Sequence, residues 1–168
     1  MQVKYSDLKN KRVFITGGGS GIGASIVEHF CEQGSEVYFV DINLKETKKL
    51  LNKIKKNKFR APIFIECNLL DINKLEKIIR NIITQKGPIH ALINNAANDD
   101  RHTTDEVDEK YWENRIAINL KHYFFAAKAV VKSMKKIKAG SIVNLSSVSW
   151  MLGELSLIHI SEPTRQAS

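Results

Sequence analysis

The chain has 168 residues, one domain's worth, and 43% of them are apolar, enough for a sizeable core. No apolar run approaches the roughly 18 residues of a membrane span, and Met1-Gln-Val-Lys-Tyr-Ser-Asp7 has no signal-peptide apolar stretch, which argues against a membrane and for a cytoplasmic location. The net charge of +8 raises nucleic acid as a partner, but Lys45, Lys48, Lys49, Lys53, Lys55, Lys56, Lys58 and Arg60 crowd one short helical segment with no interleaved aromatics, which reads as a solvated outer face and no nucleic-acid partner.

In chain order, Lys11-Arg-Val-Phe-Ile-Thr-Gly-Gly-Gly-Ser-Gly-Ile-Gly23 comes first. Val13, Phe14 and Ile15 form the continuous apolar run of a strand buried on both faces. The glycines Gly17, Gly19, Gly21 and Gly23, with Ser20 and Ile22, then make a tight turn whose backbone can approach a phosphate, at the N-terminus of a helix carrying Ile22, Ile26, Val27 and Phe30. Gly34 closes that helix as its C′ residue. A glycine-rich turn with no ligand is the alternative for this motif taken alone.

Glu36–Val40 is a second strand, ending at Asp41. A lysine-rich helix with the stripe Leu44, Thr47, Leu51, Ile54 follows, then a third strand over Ala61–Cys67. Asn68 and Leu69 come next, and Asp71 is the expected N-cap of a helix bearing Leu75, Ile78, Ile79 and Ile82. A fourth strand, Ile89–Ile93, runs into Asn94-Asn-Ala-Ala97. After a polar loop from Asn98 to Thr104, a long helix starts near Val107 or Asp108 and continues to about Lys135. A fifth strand, Ser141–Leu145, ends in Ser146 and Ser147.

This alternation predicts an α/β fold, a doubly wound parallel sheet of the Rossmann kind, with ligands beyond the carboxyl ends of the strands. The glycine turn, Asp41, Asn68, Asn95 and Ser147 all fall there. Asp41 lies 24 residues after Gly17, close to the spacing at which an acidic residue accepts from an adenosine ribose and repels a 2′-phosphate. No basic residue stands at Gly18, Gly19, Ser20 or Ile42, so NAD is expected; capping of the next helix is the alternative for Asp41. Cys31 and Cys67 follow no pattern and the five His residues form no zinc-ligand spacing, so no metal is expected.

With these residues placed, residues 8–154 resemble the short-chain dehydrogenase/reductase family. Thr16-Gly-Gly-Gly-Ser-Gly-Ile-Gly23 looks like its TGxxxGxG, and Asn94-Asn-Ala-Ala97 like its NNAG with Ala97 in place of Gly. Asn119 matches a helix Asn that holds a proton-relay water, and Gly140–Ser147 matches the strand that delivers the catalytic Ser, here Ser147. The resemblance implies that Gly17, Gly19, Ser20, Gly21, Ile22, Gly23, Asp41, Asn68, Leu69, Asn95, Ala96 and Ala97 bind the cofactor, with Asn68 beside adenine. A narrower similarity is to galactose- and xylose-type sugar dehydrogenases, through Asn95–His102 and Ser147–Trp150. Asn98, Asp99, Asp100, Arg101 and His102 gather hydrogen-bonding groups suited to a polyol, and Trp150 offers a ring for a pyranose face. An ordinary solvated loop is the alternative there. Asn98, Ser147 and Trp150 are the candidate substrate contacts.

The family chemistry needs a Tyr 13 residues after Ser147 and a Lys four further on. Ile160 and Thr164 stand there, and no Tyr follows Tyr123. Residues 155–168 resemble an in-frame translation of a sequencing-library adapter, so they are expected to be a non-native tail, and residues 1–154 the N-terminal part of one dinucleotide-binding domain, truncated after its fifth strand. The expected parent is an NAD-dependent, homo-oligomeric oxidoreductase acting on an aldose at its anomeric carbon. A 3-oxoacyl or other ketone reductase and a non-catalytic dinucleotide-binding protein are the alternatives.

Overall fold

A computed structural model of the chain describes residues 3–100 and 102–147. Its five strands, β1 (Arg12–Thr16), β2 (Glu36–Asp41), β3 (Ile63–Glu66), β4 (Ala91–Asn94) and β5 (Ser141–Asn144), form one sheet in the order β3-β2-β1-β4-β5. All neighbouring strands are parallel. The helices are α1 (Gly21–Glu32), α2 (Leu44–Lys56), α3 (Ile72–Lys86), α4 (Glu109–Ile116) and α5 (His122–Ile137). This is the doubly wound α/β architecture the alternation implies, and its strand order reverses between β1 and β4.

The centre of the sheet explains the apolar runs. Val13, Phe14 and Ile15 are fully buried, and side chains alternate between two cores. On one face Val13, Ile15, Val37 and Phe39 pack with Val27 and Cys31 of α1 and with Leu50 and Ile54 of α2. On the other, Phe14, Tyr38, Val40 and Leu92 pack with Leu75 and Ile79 of α3 and with Ala126 and Val130 of α5. Full burial of each such aliphatic side chain contributes on the order of 1.5–3 kcal/mol.

Local signals set most helix ends. Gly34 has φ +77, and the bonds Ser35 N–H to Phe30 O and Gly34 N–H to Cys31 O, each 3.0 Å, make the C-terminal motif that needs a left-handed residue. Asp71 caps α3 by accepting from Lys74 N–H at 2.9 Å. Asn43, rather than Asp41, caps α2, accepting from Glu46 N–H at 3.1 Å. The apolar stripe of α2 is Thr47, Leu50, Leu51 and Ile54; Leu44 is exposed because it is the first helical residue and lies beyond the sheet's cover. Ile22 is also exposed, on the first turn of α1. The lysines of α2 face outward, and Lys53 and Lys49 pair with Glu28 and Glu46 at 2.7 Å each.

The expected long helix is two helices joined by a π-helical turn. It begins at Glu109 after an Asp108 cap on Tyr111 N–H (2.7 Å), passes through the π-turn over Ala117–Lys121, and resumes as α5 to Ile137. A turn of this kind shifts the helical phase by one residue within a single short stretch, too short for the apolar periodicity of the flanking helices to reveal it. No helix among the described residues is long and apolar enough to cross a membrane. Ile142 and Val143 of β5, Leu120 of the π-turn and Phe124 of α5 are exposed apolar residues.

Two histidines are held neutral by the fold. Burial depresses His122 to about 4, opposed only by the Ile118 carbonyl. Burial, reinforced by Lys11 and Arg12, also lowers His90, whose Nδ1 accepts from Arg12 N–H at 3.0 Å. A base with a depressed native pKa binds its proton better when unfolded, so its contribution is complete above the unfolded pKa near 6.5 and is lost as pH falls from there toward the native value. Denaturant unfolding should therefore show stability falling between about pH 6.5 and pH 4, the His122 share being about 3 kcal/mol, and His122→Phe should flatten that slope.

Candidate functional site

The carboxyl ends of β1 and β4 meet at the reversal of strand order, and the glycine stretch turns directly above them. Gly17 has φ +66, and a Cβ there would stand 2.7 Å from Ala96 Cα. Gly23, in the first turn of α1, is still tighter: a Cβ would overlap the Gly17 carbonyl and lie 2.6 Å from Asn95 Nδ2. Only bare backbone lets α1 begin this close to the sheet. Ser20, its N-cap, makes no side-chain cap bond, and the first turn carries no acidic residue, which leaves the positive end of the helix facing outward toward an anion.

Hydrogen bonds hold this crossing. Asn95 Nδ2 donates to Thr16 O at 3.2 Å and to Gly17 O at 2.9 Å. In return Thr16 Oγ1 accepts from Asn95 N–H at 3.0 Å and Ala96 N–H at 3.2 Å. At the end of β2, Asp41 Oδ2 accepts from Gly19 N–H at 2.7 Å and Oδ1 from Asn43 N–H at 2.8 Å. Asp41 thus braces the glycine turn instead of capping α2.

A cavity of about 330 Å³ opens over these strand ends. Gly17, Ser20, Ile22 and Gly23 form one wall, Asp41, Asn68 and Leu69 another, and Asn95, Ala96 and Ala97 the floor. Ten of the twelve residues predicted to bind the cofactor therefore line one space. Gly19 and Gly21 are not among its lining residues; Gly19 has its N–H on Asp41 and Gly21 has φ +53. Ile42, Cys67 and Ile118 also line the cavity. Only Ile42 carried a signal, as an apolar residue directly after the acidic one; Ile118 reaches the cavity through the π-turn. The side-chain carbonyl of Asn68, expected beside adenine, accepts from Leu70 N–H at 3.0 Å. A second cavity, of about 350 Å³, lies past Asn98 beside Tyr111 and Arg115. No glycine lines it, and the N-terminus of α4 beside it is closed by the Asp108 cap and carries the acidic Glu109 in its first turn, so the first cavity is the candidate site.

Asn119 sits within the π-turn. Its Oδ1 accepts from Asn98 N–H at 2.7 Å and its Nδ2 donates to Asn98 O at 3.1 Å, tying the turn to the loop after β4. That loop is ordered by its own contacts. Arg115 donates to Asp100 Oδ2 at 2.7 Å, which with Asn98 holds the carboxyl below the usual range, and the guanidinium lies 4.6 Å from the Tyr111 ring centroid. Ser147 is half-buried three residues beyond β5. Tyr123 donates to Leu145 O at 3.1 Å, and burial raises its pKa. Trp150 and Arg101, predicted near a substrate, lie outside the described residues, as do Ile160 and Thr164. No group of three or more His, Cys, Asp or Glu side chains converges as metal ligands among the described residues.

Comparison with known proteins places this geometry. The profile of the family described as "short chain dehydrogenase" matches residues 11–158. The chain is 40% identical over 154 residues to a D-xylose 1-dehydrogenase of Caulobacter vibrioides, covering 92% of this chain and 60% of that protein. It is 32% identical over 158 residues to a glucose and ribitol dehydrogenase of Daucus carota, covering 90% and 54%. A protein of Rhizobium meliloti described as a galactose dehydrogenase is 38% identical over 149 residues, covering 89% and 58%. Among solved structures, the aldohexose dehydrogenase of Thermoplasma acidophilum superposes with a TM-score of 0.77 at 28% identity, covering 94% of this chain and 57% of that one. The chain spans about 60% or less of the length of these curated relatives.

Asn95→Ala removes both donors to the glycine turn and leaves two carbonyls without them. A loss of about 1–3 kcal/mol of stability is expected, with amide exchange accelerated at residues 16–18 and 95–97. Uniform acceleration across the sheet would contradict the assigned role.

Proposed function

The chain belongs to the short-chain dehydrogenase family, and from that premise we propose that residues 1–154 form the dinucleotide-binding part of an NAD-dependent oxidoreductase, with residues 155–168 a non-native tail. The observation that carries the reading is Asp41, held by Gly19 N–H at the rim of the glycine-walled cavity. Each carboxylate oxygen accepts one backbone N–H and keeps capacity for a ribose hydroxyl. Hydrogen bonds to a charged acceptor contribute roughly 1.5–3 kcal/mol each. The same charge repels a 2′-phosphate, and among the described residues no Lys or Arg lines the cavity to offset it. The glycine backbone and the start of α1 suit the pyrophosphate, and Asn95, Ala96 and Ala97 the adjoining ribose side. Calorimetric titration should show NAD binding more tightly than NADP, and Asp41→Ala should narrow that gap by about tenfold or more, the equivalent of one charged hydrogen bond.

When bound, NAD would accept a hydride from the carbinol carbon of the substrate. Ser147 would hold the substrate oxygen, and Asn119 would position a relay water from the π-turn. Asn98 and Trp150 are the proposed sugar contacts, and the xylose and aldohexose specificities of the relatives support an aldose oxidised at its anomeric carbon. The whole protein is proposed to be a homo-oligomer with a small-molecule substrate.

The chain as written lacks a proton acceptor for this step. No Tyr follows Tyr123, whose own hydroxyl is engaged by Leu145 O and whose pKa burial moves away from neutrality. A tuned acid/base group contributes typically 10²–10⁴-fold. The 168-residue chain should therefore bind NAD yet form no measurable NADH with a panel of aldoses. A version with Tyr at position 160, Lys at 164 and a family-type continuation should oxidise aldoses in preference to reducing 3-oxoacyl thioesters. Sugar-dependent NADH formation by the chain itself would overturn the assignment of the missing base.

A further inference from the structure

His122 is fully buried and stands at the joint between the cavity and the π-turn, yet the reading above gives it no task. Its Nε2 lies 3.3 Å from Thr16 Oγ1. That hydroxyl already accepts two backbone N–H groups, from Asn95 and Ala96, which fill its two lone pairs. Its single hydrogen is left to point at Nε2. Nε2 is then an acceptor, and the ring proton belongs on Nδ1. An imidazolium, or the other neutral tautomer, would aim a third donor at Thr16 Oγ1 and leave the hydroxyl hydrogen without a partner. Burial, which depresses the pKa of the ring to about 4, acts in the same direction.

The ring's other neighbours belong to the helix. His122 directly follows the π-turn over Ala117–Lys121. The carbonyl of Ile118, a cavity-lining residue, favours a proton on the ring without closing a hydrogen bond of standard geometry to the buried Nδ1, and Tyr123 stacks edge-on at 4.5 Å. Thr16 pins the backbone of Asn95 and Ala96, which forms the cavity floor; the π-turn carries Ile118 in the wall and Asn119 on the Asn98 backbone. The imidazole links these two assemblies on the buried side, beside the Asn119–Asn98 pair and the Asn94 donation to Tyr123 O.

We propose that His122 is a positioning residue that accepts the Thr16 hydroxyl proton and thereby locks the β1–β4 floor of the cofactor cavity to the π-turn bearing Asn119. The inference rests on the proposed function for its consequence, dinucleotide affinity, and on the hydrogen-bond geometry for its cause. A buried network of this kind loses more than one bond when a member is removed, because the remaining polar groups stay desolvated.

The test titrates the 168-residue chain with NAD as wild type, His122→Phe, His122→Gln, Thr16→Val and the Thr16→Val/His122→Phe double variant. His122→Phe should weaken NAD by about fivefold or more, the equivalent of one neutral hydrogen bond. His122→Gln, whose Oε1 can stand in for Nε2, should recover most of the loss, and in the Thr16→Val background His122→Phe should cost far less. Equal loss in both backgrounds, or no recovery with Gln, would overturn the proposal and leave a packing role. If His122→Phe does not fold, ¹⁵N imidazole shifts of the wild type decide: an unprotonated Nε2 with a protonated Nδ1 at neutral pH is expected, and the reverse tautomer or an imidazolium refutes it. If the wild type binds neither NAD nor NADP, the functional reading fails. The positioning role is then judged by amide exchange at Asn95 and Ala96, which should accelerate in His122→Phe and recover in His122→Gln; unchanged exchange refutes it.

Discussion

The side-chain amide of Asn95, donating to the carbonyls of Thr16 and Gly17, is the interaction on which the rest of the site depends. It acts where β1 and β4 diverge, the one place in a doubly wound sheet at which the helices leave on opposite faces and open a crevice. The turn from β1 into α1 has little side-chain packing of its own, because its glycines have none. Its shape comes from its hydrogen bonds to the strand ends: the Asn95 amide, the Val40 carbonyl that accepts from Gly17 and Gly18 N–H, and Asp41 on Gly19 N–H. The close approach of Gly23 to the Gly17 carbonyl follows from this anchoring.

Charge is used sparingly in the site and freely elsewhere. The α2 lysines are spread over a solvated face, partly paired with Glu46 and Glu28. Exposed pairs of this kind contribute about 0–1 kcal/mol, so the helix is held by Thr47, Leu50 and Ile54 underneath. Among the described residues lining the cavity the charged side chain is Asp41, set by two backbone N–H groups.

The π-turn connects the architecture to chemistry. It rotates Asn119 onto the Asn98 backbone and brings Ile118 into the cavity, joining the helix to the loop after β4. Ser147 stands three residues beyond β5, and under the proposed function it and Asn119 would orient a substrate oxygen and a water. The matching segment covers about 60% of the xylose dehydrogenase's length, and no Tyr follows Tyr123 in the chain.

Much of this was legible in the residues alone. The apolar run Val13–Ile15, the glycine turn, Asp41 at its spacing and the Asp71 cap are local or short-range signals, and local signals fix strands, turns, caps and the edge of the sheet on which the cavity opens. Ten of twelve expected cofactor residues meet in one cavity because strand ends in such a sheet lie on one edge whatever their details. The tertiary structure alone decided the rest. Asn43 took the cap of α2 and freed Asp41 for Gly19, since the choice depends on how β2 meets the glycine turn. The π-turn is invisible to periodicity, and with it the placement of Ile118. The role of His122 depends on a hydroxyl 106 residues away in sequence, and no spacing rule reaches a contact that exists only once two strands and a helix have packed.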